Sequence, residues 1–150
     1  MQVAPYPVMY GSDPNRTDDY SLFAHEKGLD AVQDSVSVAI DSNFTTNEFG
    51  YPTGGADGDK PVGMDTWTRL VRVEPDIEQV GDISMTVLGR EFAQDTDTVS
   101  APYAVPPACD KIDTREHHRN LRLRFESNTA GGDYQVGRIT VHSEPGDRRS

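Results

Sequence analysis

Only one cysteine, Cys109, occurs in the chain, so no internal disulfide can form. That usage fits a reducing compartment, or assembly inside a cell. Cys109 itself reads as a small, partly buried residue rather than a nucleophile. No run of about 18 apolar residues occurs, which leaves no candidate transmembrane helix. The start, Met1-Gln2-Val3-Ala4-Pro5, lacks a basic region followed by an apolar block, so no signal peptide is expected. Apolar residues are sparse too: 35% of the chain. Counting glycine brings this to about 44%, the low edge of soluble domains. A modest core follows, with stability borrowed from neighbouring subunits. Basic residues are outnumbered, 14 Lys and Arg against 25 Asp and Glu, for a net charge of -11. A general nucleic-acid binder needs the opposite balance to displace counterions from phosphates. No stretch carries helical periodicity over three turns, and no internal repeat is found.

What is present is period-2 alternation. In Leu121-Arg122-Leu123-Arg124-Phe125-Glu126, apolar and charged residues trade places, as in a strand with one dry and one charged face. An Asn/Gly turn leads to Tyr134-Gln135-Val136-Gly137-Arg138-Ile139-Thr140-Val141. The two runs read as a closing hairpin. Tyr134 and Val136 have one parity and Ile139 and Val141 the other, which puts a β-bulge at Gly137. Earlier strands are expected at 34–41, with Val36, Val38 and Ile40 sharing a face, and at 82–90, with Ile83, Met85 and Val87 facing in. A further strand at 65–74 has Trp67, Val71 and Val73 inward, Arg69 out of pattern, and Pro75 as its stop. Residues 97–106, with Pro102 and Pro106, suggest an edge strand or an extended connection. Residues 110–118 fit either a helical turn or a strand. The sum is an all-β, antiparallel, β-sandwich-like domain of about six to seven strands over 34–150. An extended N-terminal arm covers 1–33, and a long Gly/Pro-rich loop, 49–63, is available to reach a partner.

The candidates for chemistry are weak. Adjacent His117 and His118 point to opposite faces of a strand and do not suit one metal ion. Asp13, Asn15 and Thr17 brush a calcium-loop spacing but lack its Gly and closing Glu; Asp57 and Asp59 read as loop acids. No Gly-x-Ser-x-Gly elbow or phosphate-cradling loop occurs. The expectation is no enzyme, no catalytic residue, no metal and no cofactor. The candidate interface residues are Tyr6, Tyr10, Tyr20 and Phe23, as anchors of the arm, and Arg122 and Arg124. That arginine row is either a solvated face or a set of forks for a neighbour's carboxylates.

Several stretches resemble the C-terminal β module of tail nozzle (tail tubular) and related virion structural proteins of tailed bacteriophages. They are Trp67-Thr68-Arg69-Leu70-Val71-Arg72-Val73-Glu74-Pro75-Asp76; Val80-Gly81-Asp82-Ile83-Ser84-Met85-Thr86-Val87 with Gly89-Arg90; and Lys111-Ile112-Asp113-Thr114-Arg115 leading into 119–128. The last is Tyr134 to Val141 with the Pro145-Gly146-Asp147-Arg148-Arg149 tail. His25-Glu26-Lys27-Gly28 and 36–42 extend the likeness to about residues 25–150. The resemblance implies a non-enzymatic subunit of the phage tail, assembled in the host cytoplasm into a ring with other virion tail proteins. Family members are much longer, with a β-propeller ahead of this module. That implies a separately encoded module or a split gene, and leaves open whether the subunit lines the DNA channel or decorates the exterior. A second reading is a carbohydrate-binding β-sandwich on a tail spike or receptor-binding apparatus, with Trp67, Tyr51, Tyr103 and Tyr134 stacking on sugar rings. Trp67, on the apolar parity of its strand, is expected to be buried.

Overall fold

The computed structural model describes residues 8–12, 20–24, 30–33, 36–51 and 66–146. Every regular element in them is a β-strand, and every pairing is antiparallel. Two small hairpins come first. β1 (Val8–Ser12) pairs with β2 (Tyr20–Ala24), and β3 (Asp30–Gln33) with β4 (Val36–Ala39). Residues 1–33, expected as an extended arm, thus contain a hairpin and the first strand of another.

The body consists of two sheets. In the first, β6 (Trp67–Val80) runs between β10 (Ile112–His118) and β12 (Asp133–Gly146). In the second, β5 (Ser42–Thr45), β11 (Asn120–Ser127) and β7 (Ile83–Arg90) lie side by side. Two short strands, β8 (Thr98–Val99) and β9 (Tyr103–Val105), edge β7. The body alone holds eight strands, slightly more than the six to seven expected. The edge pieces at 97–106 are short, as their prolines suggested, and 110–118 is strand rather than helical turn.

One core lies between the sheets. Leu70, Val73 and Ile112 come from the first; Ile83, Met85, Val87, Val105, Leu121, Leu123 and Phe125 come from the second. Alternation in β7 and β11 is what delivers these side chains to one face. Each fully buried Leu, Val, Met or Phe contributes roughly 1.5–3 kcal/mol. Phe44 of β5 stacks on Phe125 with ring centres 5.0 Å apart. Partly buried Ile77, Tyr134, Ile139 and Val141 close the margins.

Three of the chain's changes of sheet are short corners. Between β6 and β7, Gly81 takes φ 91°, and Gln79 Nε2 donates to the carbonyls of Gly81 and Val105, both at 2.8 Å. Arg119 alone joins β10 to β11. From β11 to β12 the chain turns through Thr129 to Gly132, with Gly131 at φ 71° and the Gly132 N–H on the Thr129 carbonyl. Asp30 of β3 receives the Gly131 N–H at 2.6 Å.

This last corner corrects the closing hairpin. β11 pairs with β7 and β5, and β12 pairs with β6, so the two runs lie in opposite sheets. The reason is occupancy: both edges of β11 are taken, and β12 matches the 14-residue length of β6. Period-2 alternation says which face is dry; it does not say which neighbour is paired.

β6 departs from the expected pattern twice. The register shifts where His142 faces Arg72 and Ser143 faces Leu70, and again between Asp113 and Glu116 of β10. This irregularity at Val71 reverses the parity. Thr68 and Leu70 are buried before it, Val73 and Pro75 after it. Trp67 therefore sits outside the core, half-buried, contrary to expectation. Nor does Pro75 stop the strand. It faces Ile139 of β12 beyond the point where β10 ends at Ile112, so its missing N–H falls where β6 has lost a neighbour. The buried Thr114 hydroxyl donates to the Leu70 carbonyl at 2.8 Å, stitching β10 to β6 across the irregular step. In β12 the register shifts between Val136 and Ile139, which puts the bulge at Gly137 and Arg138, where the sequence placed it.

The strand expected at 34–41 is shorter, β4 covering Val36–Ala39. Val36, Val38 and Ile40 do not enter the core; they are 61%, 46% and 54% exposed. The available edge of β11 is filled by β5, which leaves β4 paired with β3 alone among the described residues.

Candidate functional site

At one end of the sandwich, β6 begins while β7 and β10 end. The gap between them is a cavity of about 640 Å³ lined by Trp67, Arg90, Glu91, Gln94, Asp95, Thr96, Thr98, His117 and His118. That size lies within the about 300–1,000 Å³ of small-molecule sites. The β7–β8 turn forms one wall. It is fixed by the Asp95 N–H on the Phe92 carbonyl, 3.0 Å, and the Phe92 N–H on Asp95 Oδ2, 2.9 Å. Those two bonds leave the side chains of Gln94, Thr96 and Thr98 out of the turn's own scaffold.

The two histidines lie against strand backbone. A Cβ at Gly89 would run into the His118 ring, and one at Gly146 into the His117 ring. The Trp67 and His117 rings are 5.0 Å apart and tilted by 44°. Burial holds His118 below the usual histidine range, against the opposing pull of Glu116, whose carboxylate is 3.8 Å away. At neutral pH it is therefore a neutral imidazole. Arg90 is committed to Glu48 and to the Ala93 carbonyl, and Arg122 to Asp97. Among the described residues no group of three or more His, Cys, Asp or Glu is assembled to hold a metal.

The outer face of β6, β10 and β12 is a mesh of exposed polar contacts. Arg72 Nε meets Asp113 Oδ1 at 2.8 Å, Arg69 meets Glu144 at 3.7 Å, and His142 Nε2 meets Glu74 at 3.1 Å. The hydrogen bond with Asp113 raises Arg72 above its ordinary value and lowers the Asp113 carboxyl. A second cavity of about 630 Å³ opens beside this mesh, between Tyr51, Arg72 and His142.

Of the candidate interface residues, Tyr6 lies outside the described residues. So do Asp13, Asn15, Thr17, Asp57, Asp59 and residues 52–65 of the glycine-rich loop. Tyr10 is on β1, Tyr20 and Phe23 on β2; Phe23 is registered against Met9 and Tyr20 against Ser12. Arg122 and Arg124 share the outer face of β11, but both have acids within the chain. Arg122 pairs with Asp97, and Arg124 with Glu126 at 2.9 Å.

The four aromatics of the sugar-binding alternative do not form one row. Tyr103 and Tyr134 pack against the core. The Tyr103 hydroxyl donates to Glu116 Oε1 at 2.7 Å; burial and this bond push it up to about 12. Tyr51 lines the second cavity, its N–H on Thr68 Oγ1 at 2.6 Å, and Trp67 alone lines the first. Sequence reasoning missed the grouping of Trp67 with the histidines and the β7–β8 turn. The only available signal was the polar run Gln94 to Thr98 shortly after a buried strand.

The molecule is thus an all-β antiparallel protein with a two-sheet core. No family model matches the chain, and no curated protein matches it.

Proposed function

We propose that the chain is a non-enzymatic structural subunit of a tailed-phage virion, acting in the tail or head–tail nozzle region through protein–protein contacts. The observation that carries this reading is the apolar row Val36, Val38 and Ile40. It is exposed, on or next to a strand whose partner among the described residues is β3 alone. Aligned exposed β-branched residues beside an open strand favour burial against another chain. The resemblance to tail nozzle proteins supports the reading as well. Its stretches coincide with β6, β7, β10, β11 and β12, the strands that build the body. Closed cyclic symmetry is the expected arrangement, because head-to-tail contacts that do not close grow filaments. An acidic surface suits a subunit past which DNA moves without sticking.

Light scattering on a sizing column tests the assembly. The expected result is a discrete multiple of the 16.5 kDa chain that dissociates in a Val36→Asp, Val38→Asp double variant. A monomer that also fails to incorporate into tails assembled with the other tail proteins would overturn the proposal.

A further inference from the structure

We infer that the cavity beside Trp67 binds a neutral saccharide of one or two rings. This goes beyond the assembly role and is independent of it. Three observations converge. Trp67, the only tryptophan of the chain, is half-buried on the cavity side of β6, excluded from the core by the parity change at Val71. An indole wall offers a flat apolar face for the C–H side of a pyranose, while its neighbours meet the hydroxyls.

The hydrogen-bonding wall is mostly uncharged. Gln94, Thr96 and Thr98 face the cavity from the β7–β8 turn and β8. Asp95 keeps Oδ1 outside the bond that Oδ2 makes to Phe92. Amide and hydroxyl groups both donate and accept, which matches sugar hydroxyls that do the same.

The positive charge at the site is already committed. The Arg90 guanidinium binds Glu48 and the Ala93 carbonyl, and His118 is neutral at pH 7. Glu91 and Asp95 add acids to the lining. A phosphate or nucleotide would find no uncommitted arginine here, whereas a neutral polyol needs none.

The single tryptophan makes its own assay. The full chain would be titrated with the methyl glycosides of glucose, mannose, galactose, rhamnose and N-acetylglucosamine, and with maltose. Trp67 emission and saturation-transfer NMR would be read in parallel. The expected result is a saturable emission change with at least one sugar, at a Kd of about 1 mM for so small a ligand. A Gln94→Ala, Thr96→Ala variant, altered only on exposed turn positions, keeps its thermal unfolding and loses affinity at least about tenfold. Two results would overturn the inference outright: no sugar in the panel changes the emission, or the double variant binds as well as the parent. Competition by inorganic phosphate would overturn it in favour of an anion site.

Discussion

Thr114 gives the sharpest test of the structure, because its hydroxyl does one identifiable thing. It is 5% exposed and donates to the Leu70 carbonyl at 2.8 Å, where β10 and β6 lose their regular register. Thr114→Val keeps the side-chain shape and removes only the donor. No cavity opens, so the cost is that of a buried carbonyl losing one partner, about 1–3 kcal/mol. Thr114→Ser keeps the donor and removes one methyl group, for about 1 kcal/mol. Urea unfolding followed by Trp67 fluorescence separates the two. The valine variant is expected to shift the midpoint down with an unchanged slope, since the surface exposed on unfolding is the same. In a thermal scan a loss of 1 kcal/mol corresponds to about 2–4 °C for a chain of this size. A valine variant as stable as the parent, or more stable than the serine variant, would refute the claim that this hydroxyl bridges the irregular step.

Three further outcomes follow from geometry. Phe125→Ala, in the core against Phe44, should cost about 3–5 kcal/mol, while Arg124→Ala on the other face of β11 should stay within about 0.5 kcal/mol; equal costs in chemical denaturation would mean β11 is out of register. Among the six tyrosines, Tyr103 should deprotonate late, near pH 12. Its folded value lies above its unfolded one, so its contribution is present below pH 10 and lost as the pH rises towards 12; absorbance titration of the parent against Tyr103→Phe checks it. His118 has its folded value lowered, so the unfolded chain binds its proton first and stability falls as the pH drops below 6.5; an NMR titration in which His118 protonates above 6.5 would contradict the burial argument.

Much of the body was legible in the residues. Ile83, Met85 and Val87, and Leu121, Leu123 and Phe125, fall on single faces because a strand alternates, and these six side chains are buried. The Gly137 bulge showed itself because apolar parity changes across a glycine. Val71 gave no such notice. It stands between Leu70 and Arg72 with no glycine to mark a break, and strict counting across it puts Trp67 inside and Thr68 outside, the reverse of what is found. Pairing was the other blind spot. Nothing local in 119–143 tells a hairpin from a crossing between sheets, because the choice depends on β5, β6 and β7 competing for the same edges. The cavity residues stayed hidden for a related cause: Trp67, Gln94 and His117 meet only when three strand ends converge.

The crossings also govern the order of folding. β6 is the first strand of its sheet to be made, and β12, which pairs along its whole length, is the last. During synthesis, β6 has no partner for its longer flank until the residues up to 146 have emerged. Pairings this distant in sequence pay their loop-closure entropy first, so the body is expected to fold slowly, once residues up to 146 are free to pair, and as one cooperative unit.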